Sequence, residues 1–339
     1  MTSSHFIAIP AAKKLVADVF TAHGVDPLAS ASVAAALVEA EASGQRGHGF
    51  SRINAYLAQV ASGKINVAAK ITSTQSRQSF VTIDADGGFA YPALEHATDA
   101  LTRMARRDGL AAVSVYNSHH CGALSPHVER LSRNGLIAIM FANAPKAMAP
   151  WGGSKPLFGT NPIAFSVPRD PDPVTIDMSL SRVARGKVMH AHQNNQPIPD
   201  GWALDKEGNP TNDAKAALEG TMLPIGDAKG ASLALMVEIL AAALTGSNFS
   251  HEASSFFDGK GARPGVGQFI LAIEPAAGAS DFADRLETLL EQIAAQEGTR
   301  LPGSNRLKTL GESRDAGFTV PAQTLAHLKT LAYGPVCTG

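Results

Sequence analysis

The stretch Tyr116–Pro168, YNSHHCGALSPHVERLSRNGLIAIMFANAPKAMAPWGGSKPLFGTNPIAFSVP, constrains this chain more than any other. Two polar, small-residue turns, Asn117–Leu124 and Trp151–Pro162, flank an apolar run, Gly135–Ala142, with the length and isoleucine content of a buried strand. A second apolar run, Leu110–Val115, leads straight into Ser118, His119 and His120. The histidines therefore belong to the loop or first helical turn after a strand, where α/β proteins place ligand contacts. Gly159-Thr160-Asn161-Pro162 reads as a tight turn before a third strand, Ile163–Val167. Glycines and polar residues at strand ends let a ligand approach the backbone.

Helical periodicity dominates the N-terminal part. Leu15, Val16, Val19 and Phe20 share one face of a helix over Pro10–His23, stopped by Gly24. Asp26-Pro27 caps a second, alanine-rich helix reaching about Ser43. Gly44-Gln45-Arg46-Gly47-His48-Gly49 breaks it, and a third helix is expected over Ser51–Ser62, with Arg52 and Tyr56 on one face. If that helix runs back through His48, a histidine, an arginine and a tyrosine converge. A strand Phe80–Asp84 and a helix Tyr91–Asp108 precede the central stretch. A helix around Pro126–Arg133 lies within it. After it come a strand Val174–Met178, a helix Arg182–His192 and a polar, turn-rich excursion, Gln193–Leu218. An apolar helix Ala231–Leu244, a strand Gly267–Glu274, an amphipathic helix Asp281–Gln296 and a terminal helix Pro321–Leu331 complete the reading.

At 339 residues, two lobes are the natural expectation. A formal net charge of -1 offers no basic surplus for nucleic acid or an anionic membrane. No apolar run approaches the ~20 residues of a membrane span. The N-terminus lacks a signal-peptide pattern. Cys121 and Cys337 are the only cysteines, so there is no disulfide framework, and a reducing cytoplasm is the simplest compartment.

The titratable candidates each carry two readings. His48 reads as a general acid near neutral pH, with Arg52 gripping a carboxylate through its two-pronged guanidinium. The plain alternative is a capping histidine and a surface arginine. His119 and His120 are adjacent and have no H-E-x-x-H or cysteine cluster beside them, so no metal site is expected. Cys121 reads as a packing residue rather than a nucleophile. Met140, Phe141 and Met148 read as core. The Gly- and Lys-bearing turn before Ala231, with Lys229, is a sound place for a phosphate. Yet no G-x-G-x-x-G follows a strand, so a dinucleotide would be bound without the ordinary Rossmann fingerprint.

Six motifs in order carry a resemblance over roughly Pro10–Leu331: GHGFSR (47–52), NSHHCGAL (117–124), PLFGTNPIAFSVPR (156–169), LPIGDAKG (223–230), LTGSNFS (244–250) and RLPG (300–303). They resemble the malate/L-lactate dehydrogenase family, which is unrelated to the Rossmann lactate and malate dehydrogenases. The resemblance implies an α/β, sulfolactate-dehydrogenase-like fold with a mixed β-sheet, a non-Rossmann NAD(P) site, and helical N- and C-terminal segments. It implies a helical substrate and dimerisation lobe over 1–75 plus 276–339, around a mixed-sheet cofactor core over 76–275. A homodimer with active sites near the interface is also implied.

By matching position, the resemblance makes His48 the proton donor, Arg52 the carboxylate anchor, and Tyr56 and Thr160 further substrate contacts. It assigns His120, Cys121, Gly122, Ala123, Leu124, Asp177, Met178, Ser179, Lys229, Arg300, Pro302, Gly303 and Arg306 to NAD or NADP. Gly47 stands where the family carries serine, removing any relay through that hydroxyl. Lys187, within ARGK, stands where the cyclic-imine reductases carry an aspartate, and the expectation puts it in the catalytic set. LTGSNFS, in contrast, is closer to the imine reductases. The implied activity is hydride transfer at C2 of a small 2-oxo or 2-hydroxy carboxylate. The alternative is reduction of Δ1-piperideine-2-carboxylate or Δ1-pyrroline-2-carboxylate. A noncatalytic small-acid binding protein or structural dimer that kept the fold is the rival from another class.

Overall fold

The computed structural model describes residues 4–334; Cys337 lies outside them. The chain opens with β1 (Ser4–Ile7), α1 (Ile9–Ala22) and α2 (Pro27–Ala42), then two short 3-10 turns, Arg46–His48 and Phe50–Arg52, and α3 (Ile53–Ala61). Next come β2 (Thr72–Arg77), β3 (Phe80–Asp84), α4 (Ala90–Asp108), β4 (Leu110–Ser118), α5 (Ser125–Ser132), β5 (Ile137–Ala142), β6 (Ile163–Val167) and β7 (Val174–Met178). Helix α6 (Arg185–Gln193) is followed by β8 (Ala203–Leu204), β9 (Pro210–Thr211), α7 (Ala214–Glu219) and β10 (Thr221–Met222). Helix α8 (Ala228–Glu238) continues into a π turn, Ile239–Ala243, before β11 (Val266–Ile273). The chain closes with α9 (Phe282–Ala294), α10 (Ser304–Ala316), β12 (Phe318–Pro321) and α11 (Ala322–Tyr333).

Seven strands form the main sheet in the order β2-β3-β4-β11-β5-β6-β7. Only β3 and β4 run parallel, joined through α4; every other neighbouring pair is antiparallel. Strand β11, late in sequence, inserts between β4 and β5, with Ile270 opposite Val113 on one side and Met140 on the other. Its apolar run is buried on both faces because each face has its own cover. On one face Ile83, Val113, Met140 and Ile270 pack against Leu94 and Leu101 of α4 and Val128 and Leu131 of α5. On the other, Phe141 and Phe269 pack with Ala234 and Val237 of α8. A third core joins Val16, Val19 and Phe20 of α1 to Val33 and Leu37 of α2, Tyr56 of α3, and Val320 and Leu328 near the C-terminus.

Local chemistry accounts for most boundaries. Asp26 Oδ1 accepts from the backbone N–H groups of Leu28 (2.9 Å) and Ala29 (3.2 Å), starting α2 where Pro27 supplies a helical φ. Met140, Phe141 and Met148 are buried as core. Two expectations are corrected. The third helix does not begin at Ser51: Gly49, at φ -96° and ψ -134°, separates two 3-10 turns, and the α-helix starts at Ile53. His48 and Arg52 are therefore not one turn apart on a single helix. The excursion after α6 carries the three-stranded sheet β10-β8-β9 and buries Ile198, Ala203 and Ala217. Strand β2, TSTQSR, is exposed throughout; its polar sequence carries no apolar alternation, and its pairing comes from the β3 backbone. No helix among the described residues is long and apolar enough to cross a membrane.

Gly230, in the first turn of α8, lies so close to the chain before it that a Cβ would meet the Ile225 carbonyl oxygen at 1.8 Å. Gly230→Ala is expected to destabilise the protein by about 1–3 kcal/mol, as overpacking of a tight backbone contact does. An unchanged midpoint in urea unfolding would show that the turn can shift at no cost.

Candidate active site

Strand β4 hands the chain to His119 and His120 at its C-terminal end, and the two rings part company there. His119 is 1% exposed and turns inward, where its Nε2 lies 2.8 Å from Gln59 Oε1. The Gln59 Nε2 donates to the carbonyls of Ala55 (3.1 Å) and Phe256 (3.0 Å). That fixes the amide orientation, so Oε1 accepts and His119 carries its proton on Nε2. His120 lines a cavity of about 480 Å³. Its Nδ1 is 2.6 Å from the Tyr56 hydroxyl, which is 2.9 Å from that of Tyr91. Whichever way this chain of hydroxyls runs, Nδ1 is engaged and Nε2 is the nitrogen left for a ligand.

His48 comes from the 3-10 turn and stacks on His120, ring centroids 5.6 Å apart and planes 17° from parallel. Arg52 follows across the Gly49 break. Its Nε donates to the Gly47 carbonyl (2.7 Å), and its guanidinium lies 4.6 Å from the centre of the Phe257 ring. The buried Nη1 has no hydrogen-bond partner, and no carboxylate among the described residues lies within ion-pair distance of Arg52. A half-buried cation whose Nη1 is buried without a partner is costly to maintain, and an anionic ligand offsets that cost.

Burial shapes the titration of the whole cluster. It holds His48 down at about 4, with the Arg52 charge adding to the effect. It holds His119 at about 3, helped by the Lys64 ammonium. His120 lies well below the ordinary imidazole range, by burial first and then by Arg52 and its neighbouring histidines. These rings are neutral at pH 7. Burial pushes the Cys121 thiol up to about 12, which removes it as a nucleophile. Asp177 is the one acid in the lining, and its Oδ2 accepts from the Ser125 N–H at the start of α5 (2.8 Å).

The structure brings many of the expected residues to this cavity: His48, Arg52, Thr160, the strip His120–Leu124 and the run Asp177–Ser179. Gly122 occupies φ +71°, and a Cβ there would meet the Tyr91 hydroxyl at 2.9 Å, so the strip reaches the cavity as bare backbone. Tyr56 is fully buried behind the lining and touches it through His120. Lys187 does not line the cavity; it is exposed, in the first turn of α6. The cavity-facing cation there is Arg185, and a residue two positions on in a helix points to the far side. Lys229 is exposed at the start of α8, and Arg300 and Pro302 are exposed as well. Gly303 approaches the Thr175 carbonyl of β7, and Arg306 pairs with the buried Glu129 of α5. That segment lies behind the Asp177 wall rather than in the cavity.

Sequence reasoning missed Arg185, Lys146, Phe256 and Phe257, which all line the cavity. Phe256 packs on both histidines, at 5.4 Å from His119 and 5.1 Å from His120. The signal for the pair was two adjacent aromatics in the Ser/Gly-rich string SSFFDGKG, where turn composition alone asks for none. Together the cavity offers a cationic lining, neutral imidazoles and backbone open to a planar ligand, which suits binding an acid and moving a proton at it.

This α/β fold with a mostly antiparallel sheet carries a cationic, histidine-bearing cavity, and the relatives of the chain make it an oxidoreductase. The sequence matches the family model described as malate/L-lactate dehydrogenase over residues 7–329, and the chain belongs to that family. It is 46% identical over 334 residues to (2R)-3-sulfolactate dehydrogenase (NADP(+)) of Chromohalobacter salexigens, covering 98% of this chain and 100% of that one. It is 39% identical over 326 residues to a Δ1-pyrroline-2-carboxylate/Δ1-piperideine-2-carboxylate reductase of Pseudomonas putida, covering 94% of each. The crystal structure of Δ1-piperideine-2-carboxylate reductase from Pseudomonas syringae pv. tomato superposes with a TM-score of 0.91 at 36% identity, covering 96% of this chain and 99% of that one. The expected family, fold and dehydrogenase or reductase class all hold.

The depressed histidines make a stability prediction. His48, His119 and His127 titrate at about 4, 3 and 4 when folded, below the ordinary value of 6.5. Between those values the unfolded chain binds more protons, so folding stability falls as pH drops from about 6.5 toward 4. Each histidine contributes at most about 1.4 kcal/mol per pH unit in its window. Urea midpoints are expected to fall between pH 7 and 5, and less steeply in His48→Gln. Midpoints that stay flat over this range would show the rings protonating freely in the fold.

Proposed function

We propose that this chain uses NADP to move hydride to or from C2 of a small 2-oxo or 2-hydroxy carboxylate that bears a second anionic group on C3, the sulfolactate type. The observation that carries the reading is Arg52, a half-buried guanidinium with a buried, unpartnered Nη1 and no acid partner among the described residues, set beside the neutral His48. The substrate carboxylate takes the paired guanidinium contact. Arg185 and Lys146, also cavity-lining, receive the second anion. The name of the 46% identical relative supports both NADP and this substrate type.

His48 acts at the C2 oxygen. When a hydroxy acid is oxidised, the hydroxyl proton passes to the neutral imidazole as the C2–H bond breaks and the C2–O bond becomes a carbonyl; in reduction the same ring returns it. A bound carboxylate offsets the Arg52 charge, which removes one of the two causes that hold His48 low. His120, held at Nδ1 by Tyr56, keeps the stacked His48 ring in place. When bound, the nicotinamide ring supplies or accepts the hydride. The strip His120–Leu124 and the run Asp177–Ser179 fit as its wall, since Gly122 bares backbone there and the buried Ser125 hydroxyl lacks a partner. The segment 300–306, behind that wall, extends it through Gly303 and Arg306, and Lys229 remains a candidate phosphate contact at the start of α8.

The second reading is a cyclic imino acid reductase, supported by the names of the 39% identical relative and the superposed structure. The cavity disfavours it, because a protonated imine would face Arg52 and Arg185 with only Asp177 as counter-charge, and Asp177 is already bonded to Ser125. NADPH oxidation followed against 3-sulfopyruvate, oxaloacetate, pyruvate and the two cyclic imines tests this. Faster turnover of a cyclic imine than of every 2-oxo acid would reverse the order of the two readings.

Two lobes, 1–75 plus 276–339 and 76–275, remain the proposed division, with the third core supporting the first lobe. Cytoplasm is the proposed compartment, consistent with the buried free thiol of Cys121. A homodimer is proposed through the exposed apolar side chains of Leu235 in α8, of Ile239 and Leu244 after it, and of Ile176 and Met178 on the edge strand β7. Ile225, itself 40% exposed, joins the two parts where its N–H donates to the Leu180 carbonyl (2.8 Å). Met178 also lines the cavity, so this face reaches the active site.

His48→Ala is expected to lose about 10²–10⁴-fold in turnover while NADPH binding holds, and Arg52→Lys to raise KM chiefly, because lysine makes no paired contact. Near-full turnover of the first variant would remove His48 from the chemistry, and an unchanged KM in the second would place the anchor elsewhere. Light scattering is expected to give twice the 35.2 kDa chain mass, falling toward one chain in Ile239→Lys. A monomeric wild type would refute the dimer.

A further inference from the structure

The loop that presents Phe256 and Phe257 to the cavity is held by side chains: internally Ser254 Oγ donates to the Ala262 carbonyl (2.6 Å), and the N–H groups of Phe257 and Lys260 donate to Ser255 Oγ (3.1 Å) and Asp258 Oδ1 (2.8 Å). Among the described residues, no backbone-to-backbone hydrogen bond involves any residue from 254 to 263. The stretch has no helix or strand. Its shape is set by side chains, and one of them comes from far away in sequence. Lys64, 2% exposed, donates from Nζ to the carbonyls of Ser255 (2.6 Å), Lys260 (2.9 Å) and Asp258 (3.1 Å). An ammonium has three hydrogens, and all three are spent on this loop. No carboxylate lies within ion-pair distance of Nζ among the described residues. Gln59, one turn back at the end of α3, ties the Phe256 carbonyl to His119.

We propose that Lys64 is a positioning residue for substrate recognition: it gathers three carbonyls of the 255–260 loop and thereby sets the Phe257 ring under the Arg52 guanidinium. This rests on Arg52 being the carboxylate anchor, as argued above. The chain of contact is short. Lys64 holds Ser255 and Asp258, the residues on either side of the aromatic pair. Phe257 packs on the Arg52 guanidinium, and Phe256 packs on the cavity histidine His120. Gly259 closes the approach from the other side, since a Cβ there would meet the Ala58 carbonyl oxygen of α3 at 2.6 Å. A charged group is needed rather than a neutral one, because three carbonyl dipoles converge on a single buried point and a neutral amide offers two hydrogens. Burial keeps the His119 ring neutral, and the charge of the same ammonium adds to that effect.

The test uses Lys64→Met, Lys64→Gln and Lys64→Arg in the full chain, each read by kinetics and by hydrogen exchange. Lys64→Met is expected to raise KM for the 2-oxo acid by at least tenfold, with kcat changed less and the NADPH dissociation constant within twofold of wild type. Lys64→Arg should recover part of the KM. Amides of 254–263 should exchange at least tenfold faster in Lys64→Met, with the sheet unchanged. In a Phe257→Ala background the Lys64→Met change should add little further to KM, since the ring it positions is gone. A KM unchanged in both neutral variants, or exchange in 254–263 equal to wild type, overturns the proposal. If Lys64→Met fails to fold, Lys64→Gln carries the same measurements. If the wild type turns over no 2-oxo acid and no cyclic imine, the functional reading fails instead, and hydrogen exchange still decides whether Lys64 holds the loop.

Discussion

A half-buried guanidinium with no carboxylate partner among the described residues is the constraint around which this molecule is arranged. Arg52 meets only the Gly47 carbonyl and the face of Phe257, and one of its nitrogens has no partner. A protein interior tolerates such a charge where the surroundings over-determine its position. Here they do so from two directions. The Gly49 break turns the chain so that Arg52 caps α3 instead of extending it, and the 254–263 loop brings up an aromatic face from the other end of the sequence.

The neighbouring imidazoles follow from the same burial. A half-buried cationic pocket keeps His48 and His120 neutral, so in the proposed reading the site holds a base beside an anion receptor. Binding an acid changes that balance, because the anion offsets the charge that depresses His48. In the proposed reaction, recognition and proton transfer are thus coupled through Arg52. Tyr56 and Tyr91, buried with their hydroxyls in contact, hold His120 by one nitrogen and leave the other for the ligand. The sheet's contribution is placement: inserting β11 between β4 and β5 brings the ends of three strands far apart in sequence to one edge, next to the aromatic loop that precedes β11.

The two substrate readings differ by the sign of the charge opposite the substrate. The motif ARGK pointed to a cation near the chemistry. The cavity contains one from that motif, but it is Arg185 and not Lys187, because helix α6 begins at Arg185 and rotates Lys187 outward. The similarity of LTGSNFS to the imine reductases has a structural account: Thr245 and Ser247 bond each other beside Gly267, and Asn248 holds the turn before β11 through the Pro264 carbonyl. That segment shapes the loop's entry and bonds two cavity-lining residues, Asn143 at the Asn248 carbonyl (2.9 Å) and Lys146 at the Ser250 carbonyl (2.8 Å), but it adds no charge to the lining.

Much of the framework was legible from residues alone. The strands Phe80–Asp84, Ile163–Val167 and Val174–Met178 and the helix ending at Gly109 follow from apolar runs and turn chemistry, which act over a few neighbours. Motif order gave the family, and the family supplied His48, Arg52 and the strip 120–124. Strand β2 stayed hidden because its polar residues pair only through backbone, and the interruption at Gly49 because a glycine's φ and ψ are set by what packs around it. Arg185, Lys146, Phe256, Phe257 and Lys64 were beyond reach for the same reason. Each matters through a partner more than thirty residues away or through the side of a helix it occupies. Local sequence determines which elements can form; only the packed sheet decides which of their side chains share a cavity, and therefore which charges are left there without a partner.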